Sequence, residues 1–226
     1  MGVDLTLSDA DKARISAAVT AAELKSSGEI VTIVAPRSDG YADIAQDWAI
    51  FIAFLGFAIY VTLEPFYQHL LGWMMGGWDM PSPHAQLIIL FIAVLIKYLG
   101  TLLLLRWKPL RLLVTPRFIK RHRVRAQALT AFKVTTQQRT VGGTGLLIYL
   151  SEEERMAEII AEAGLHSKVD DTVWGEAMMA LIADVRKGRV ADGMIAAITL
   201  VGDILAAHFP RDPDDVNELP VRVIEL

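Results

Sequence analysis

The 226-residue chain has no cysteine, which excludes disulfides and thiolate metal sites. Charge of one sign is missing from two long stretches. Glu64–Gln86 contains no Lys or Arg, and Arg106–Ser151 contains ten Lys/Arg but no Asp or Glu. Met1–Asp9 has neither a basic stretch nor an apolar run, so no secretory signal is expected there. The glycines of Val141-Gly-Gly-Thr-Gly145 lack a following Lys and lead into a strand pattern, where a phosphate-cradling loop would lead into a helix. A turn is expected instead. Polar residues are also sparse. Hydrophobic residues make up 53% of the chain and its mean hydropathy is +0.38, high for a protein bathed entirely in water.

What is present is apolar length. Ala49–Leu63 is one uninterrupted apolar stretch, and Leu87–Leu105 is a second, 19 residues long with Lys97 as its one charge. At about 1.5 Å per residue the second nearly spans the roughly 30 Å of a bilayer's hydrocarbon core. The first can lengthen into Trp48 and the residues before it. A soluble fold of this size rarely makes two helices apolar on every face, so a two-helix transmembrane hairpin is predicted. Three segments follow: 1–47 and 109–226 as two parts of one α/β domain, and 48–108 as the hairpin with its outer loop.

The charge pattern orients the hairpin. Basic residues near membrane ends favour the cytoplasmic side, so the Lys/Arg-free loop points outward and both termini lie in the cytoplasm of a bacterial cell, beneath its inner membrane. Arg106, Lys108, Arg111, Arg117, Lys120, Arg121, Arg123 and Arg125 are expected at or near anionic headgroups, each contributing about 1 kcal/mol at most. Nucleic acid is the rival partner for this run. Its position directly after a membrane segment favours lipid.

Local signals place the remaining elements. Ser8 caps a first helix, and Glu29–Ala35 reads as a β-branched strand buried on both faces. A helix from Tyr41 continues into the first apolar segment without a breaker. The outer loop is expected to be turn-rich, and Pro109 to end the second membrane helix. Thr115-Pro116 opens a basic helix reaching about Phe132. Leu146–Leu150 and Met156–Ala161 form a hairpin around the polar turn Ser151–Arg155. Helices fit Val173–Lys187 and Val190–His208, the latter apolar and packed on the sheet. Pro210–Leu219 is an acidic loop before a short extension, Val221–Ile224.

Taken in order, several pieces resemble the TPM domain family, named for a thylakoid acid phosphatase and photosystem-repair protein. They are Leu7-Ser8 with the first helix, Ser27-Gly28-Glu29-Ile30-Val31, Tyr41-Ala42, Thr144-Gly145-Leu146-Leu147-Ile148, Ile159-Ile160 with Gly164, Val169-Asp170-Asp171, and Asn217-Glu218-Leu219-Pro220. The chain is similar to the bacterial branch that carries an internal membrane hairpin. The resemblance implies an α/β fold, a short β-sheet sandwiched by helices. It implies phosphatase activity for some members only, with no nucleophile motif to carry across. For a metal site it points to Glu162, Asp170 and Asp171, whose oxygens would suit Ca²⁺ or Mg²⁺. Such a site would converge near Glu29 or Asp39.

Two functions are therefore carried forward. One is a non-enzymatic membrane protein whose cytoplasmic domain binds, assembles or maintains membrane-protein partners. The other is a metal-dependent, phosphatase-like hydrolase.

Overall fold

A computed structural model of the chain describes residues 7–74, 76, 81–136, 143–166, 168–169, 171–211 and 223–225. They form two compact units, Met1–Asp39 with Arg117–Leu226, and Gly40–Pro116.

The first unit begins with α1 (Asp9–Glu23). The Ser8 hydroxyl accepts from the Asp11 N–H at 3.1 Å, and Asp9 and Asp11 place negative charge in the first turn, where the helix dipole favours it. β1 (Glu29–Ala35) follows and is buried along its whole length, as its β-branched run predicts. After the second unit come α6 (Arg117–Thr135), β2 (Gly145–Ser151) and β3 (Met156–Ala161). The single turn α7 (Ala163–His166), the long helices α8 (Asp171–Val185) and α9 (Val190–His208), and β4 (Val223–Glu225) complete it.

The sheet order is β3-β2-β1-β4. β1 and β2 run parallel, in register from Glu29↔Gly145 to Ala35↔Ser151. β2 and β3 form the expected antiparallel hairpin, and β4 adds a parallel edge beside Thr32–Val34. A parallel pair needs a crossover connection, and here that crossover contains the whole second unit.

Successive side chains of a strand point to opposite faces, so β1 and β2 feed two cores. On one face Ile30, Val34, Leu146, Ile148 and Leu150 pack with α1, α8 and α9. On the other, Val31, Ile33, Ala35, Leu147 and Tyr149 pack against Val124, Ala128, Ala131 and Phe132 of α6. Each large apolar side chain fully buried this way contributes about 1.5–3 kcal/mol. The unit is thus a mixed sheet with helices on both faces.

The second unit holds α2 (Ala42–Thr62), α3 (Glu64–Met74), α4 (Pro83–Leu104) and α5 (Lys108–Val114). α2 runs unbroken from the residue after Tyr41, and α2 packs along α4. Three boundaries depart from the sequence expectation. The first half of the supposed turn-rich loop is α3, with Pro65 in its opening turn, where a missing N–H breaks no bond. α4 begins at Pro83, ahead of Leu87, because Ser82 accepts from the Ala85 N–H at 3.3 Å and so caps it. Pro109 does not end α4. That helix stops at Leu104, and Pro109 lies in the first turn of α5 for the same reason that Pro65 opens α3. Trp78 and Asp79 of the outer loop, and the acidic stretch 212–220, lie outside the described residues.

Among the described residues, three helices are long and apolar enough to cross a membrane: α2, α4 and α9. They differ in burial. Half of the most apolar stretch of α9 is buried inside the protein, against 22% for α2 and none for α4.

Candidate functional site

Basic side chains of α6 and polar side chains at the C-terminal edge of β1 and β2 share one end of the sheet. The edge is built by two short connections. The Glu152 and Glu153 N–H groups donate to the carbonyls of Ala35 and Pro36 at 3.0 and 2.9 Å. The turn closes at Arg155, whose φ of 51° is left-handed and whose N–H donates to the Glu152 carbonyl at 3.0 Å.

Within this edge four side chains form a relay. The Ser38 and Tyr149 hydroxyls are 3.1 Å apart, and Ser38 Oγ donates to Ser151 Oγ at 3.0 Å. Ser151 in turn donates to Glu154 Oε2, while Glu154 Oε1 accepts from the Ser38 N–H at 3.0 Å. With Ser38 donating onward, Tyr149 is left as the donor to Ser38, so the protons all point toward the carboxylate. Tyr149, Ser151 and Glu154 are buried. Burial pushes the Tyr149 phenol up from its ordinary value and so keeps it a donor. The relay satisfies polar groups that would be costly to bury unpaired. Its one carboxylate, Glu154, reaches the Ser38 hydroxyl only through Ser151.

The basic residues predicted to meet lipid divide by geometry. Arg123 pairs with Asp39 at 3.0 Å, and Arg125 with Glu158 at 3.2 Å. Burial raises Glu158 above its ordinary value, and Arg125 and Arg121 partly offset that. Burial also lowers Lys120, against the attraction of Glu154. Arg117 and Arg121 are exposed on α6, beside an exposed Phe118. In the other unit, Arg106 and Lys108 are exposed next to Trp107. Arg111 has a different environment. Its guanidinium donates to the carbonyls of Leu105 at 2.8 Å, Gly40 at 2.6 Å and Arg106 at 3.4 Å. It thereby caps the end of α4 and ties it to the start of α2.

The acidic positions are dispersed. Glu162 accepts from the Gly145 N–H at 3.1 Å, at the opening of β2. Glu29 lies beside it, in register with Gly145, at the same end of the sheet. Asp39 is at the other end, beyond a strand of seven residues, or about 20 Å away at strand rise. Asp170 lies outside the described residues, and Asp171 opens α8. Among the described residues no three His, Asp or Glu side chains are grouped so as to hold a metal ion.

The relay escaped the sequence because Ser38 lies more than a hundred positions before its other three members, Tyr149, Ser151 and Glu154. Only the polar turn Ser151–Arg155 was visible locally.

No family model matches the chain, and no characterised protein matches it in sequence. Among solved structures it is similar to the NMR structure of the BA42 protein from the psychrophilic bacterium Bizionia argentinensis. That similarity has a TM-score of 0.57 at 16% sequence identity and covers 99% of this chain and 98% of that one. At such an identity the likeness concerns the fold alone.

Proposed function

We infer that this chain is an integral membrane protein. In this reading α2 and α4 cross the bilayer as a hairpin, and the α/β unit stays on the cytoplasmic side as a non-enzymatic binding, assembly or maintenance module for membrane partners. The observation that carries it is α4. None of its most apolar stretch is buried, and Leu87, Phe91, Ile96, Leu103 and Leu104 are all at least 60% exposed. An apolar surface of that extent has no stable place in water. α9, with 19 residues, is also long and apolar enough to span, yet Met194, Ile198, Val201 and Leu205 are wholly buried in the core with the sheet. It is best explained as a core helix, which leaves two spans.

Arg106 and Lys108, directly after α4, and the exposed Arg117 and Arg121 suit the anionic cytoplasmic leaflet. Trp107 and the exposed Leu113 of α5 suit the interfacial zone. The TPM resemblance agrees with a maintenance role. For a metal-dependent phosphatase, the carboxylates would have to gather. Glu162 does share its end of the sheet with Glu29, but Asp39 lies at the other end, and among the described residues no three His, Asp or Glu side chains are grouped to hold a metal ion.

Topology is the direct test. The chain has no thiol of its own, so single cysteines report cleanly. Exposed Ala13 on α1 and His84 at the outer start of α4 are the sites of choice, because Ser38 is tied into the relay. In intact cells an impermeant thiol reagent should label His84→Cys, and label Ala13→Cys only after lysis. Labelling of both in intact cells, or release of the chain by alkaline carbonate, would overturn the membrane reading. Turnover of a generic phosphate ester that depends on Mg²⁺ or Ca²⁺ would overturn the non-enzymatic role.

A further inference from the structure

Lys97 is the one charged side chain in Leu87–Leu105, and Ala49–Leu63 has none. It sits near the middle of its segment, so about 12–15 Å of helix separates it from either end. A lysine stem can snorkel over roughly half that distance. Its path is set by Gly56, at the middle of the other apolar segment. A Cβ on Gly56 would come within 2.6 Å of Lys97 Cδ and 2.9 Å of Cε. The stem therefore crosses the backbone of α2 at the one place where no side chain blocks it. Lys97 remains exposed on the hairpin surface, and its ammonium makes no hydrogen bond or ion pair among the described residues. One turn further along α4, Gly100 has open space where a Cβ would be, so another helix can approach the backbone closely there.

Resting on the membrane reading above, we propose that the Lys97–Gly100 face of α4 docks a transmembrane helix of another membrane protein, one that carries an Asp or Glu at mid-bilayer depth. An unpaired ammonium in hydrocarbon is costly, and ionisable residues at that depth pair with one another or line a polar cavity. Charge complementarity selects the occupant. A second copy of this chain brings only another lysine, because neither apolar segment contains an Asp or Glu. Phospholipid headgroups lie at the interface, beyond the reach of the side chain. A carboxylate on a partner helix meets the charge at its own depth, and Gly100 removes the bulk that would hold that helix away.

The test uses the full-length chain in the membranes of the cells that make it, with a photo-crosslinking residue at the exposed Leu104, one turn beyond Gly100 on the same face of α4. The expected adduct is to one membrane protein, through a peptide within a membrane span that contains Asp or Glu. Its yield should persist in Lys97→Arg and fall about tenfold in Lys97→Met and Lys97→Glu. Lys97→Glu should regain it when the partner's acid is changed to Lys. Lys97→Met keeps the stem volume and removes only the charge, so the hairpin itself should still form. Crosslinks to lipid alone or to a second copy, an adducted span without an acid, or an undiminished yield in Lys97→Met would each overturn the proposal. Carbonate extraction run in parallel separates this failure from failure of the membrane reading. A chain that stays in the membrane pellet without the adduct loses only the docking site.

Discussion

Gly202 on α9 lies so close to Ala22 on α1 that a Cβ at position 202 would stand 2.6 Å from the Ala22 Cβ. Two helices of the core meet here backbone to backbone. Gly202→Ala gains about 1 kcal/mol of helix propensity but forces apart a contact with no flexible side chain to yield, at a cost of about 1–3 kcal/mol. The expected net effect is a lower Tm for the α/β unit, recovered in part by adding Ala22→Gly. A Tm equal to or above the parent's for Gly202→Ala alone would show that the helices are free to separate.

The Tyr149–Ser38–Ser151–Glu154 relay should behave as a coupled network. Glu154→Gln replaces one acceptor oxygen by an NH₂ that faces a donor, so a loss of about 1–3 kcal/mol is expected. Tyr149→Phe removes a single terminal donor and should cost about 0.5–1.5 kcal/mol. Chemical unfolding of both single variants and the double variant measures the coupling. Strict additivity would mean that the four groups act independently.

Glu158 sets a pH dependence with an unusual sign for a carboxyl group. Its folded value is raised above 4.5, chiefly by burial, so the folded chain holds the proton more tightly than the unfolded one. Its contribution to stability is then full below about 4.5 and is lost as pH rises through the raised value. Glu158→Gln removes that loss. The stability difference between variant and parent should therefore shift in favour of the variant as pH rises across this window. Arg125→Met should raise the Glu158 value further, because Arg125 is the larger of the two arginine effects holding it down. A side-chain carboxyl NMR titration reads both directly.

Arg111 is expected to matter for stability more than for lipid affinity. It satisfies carbonyls at the end of α4 and at Gly40. Arg111→Met should lower the Tm in detergent, with a cost of about 1–3 kcal/mol. Arg111→Lys should recover only part, since an ammonium cannot fork between several acceptors. Arg106→Met should leave the Tm unchanged and weaken the preference of the chain, reconstituted in mixed-lipid nanodiscs, for anionic lipid. Equal effects of the two substitutions would remove the distinction.

Elements with strong local signals were legible in advance. Ser8 capped α1 as expected, the β-branched run of β1 was buried on both faces, and β2 and β3 paired around their polar turn. α9 ran over its expected span, Val190–His208. α3 was missed because Gly and Pro read as turn residues, although Pro65 sits where a helix tolerates it. The candidate site was mostly illegible. The basic run was visible as composition, but the pairings of Arg123 with Asp39 and Arg125 with Glu158 join positions far apart in the chain.

The sequence by itself determined periodicity, caps, the uneven charge and the presence of apolar helices, because each of these rests on neighbours within a few residues. It set α4 apart as a membrane segment and α9 as an apolar helix packed on the sheet, although apolar length is a property both share. How much of each is covered was decided only by tertiary packing: α9 buries half of its most apolar stretch in the core and α4 buries none. The same holds for Arg111 and the Tyr149 relay, whose partners are chosen by how the chain returns on itself rather than by what lies beside them.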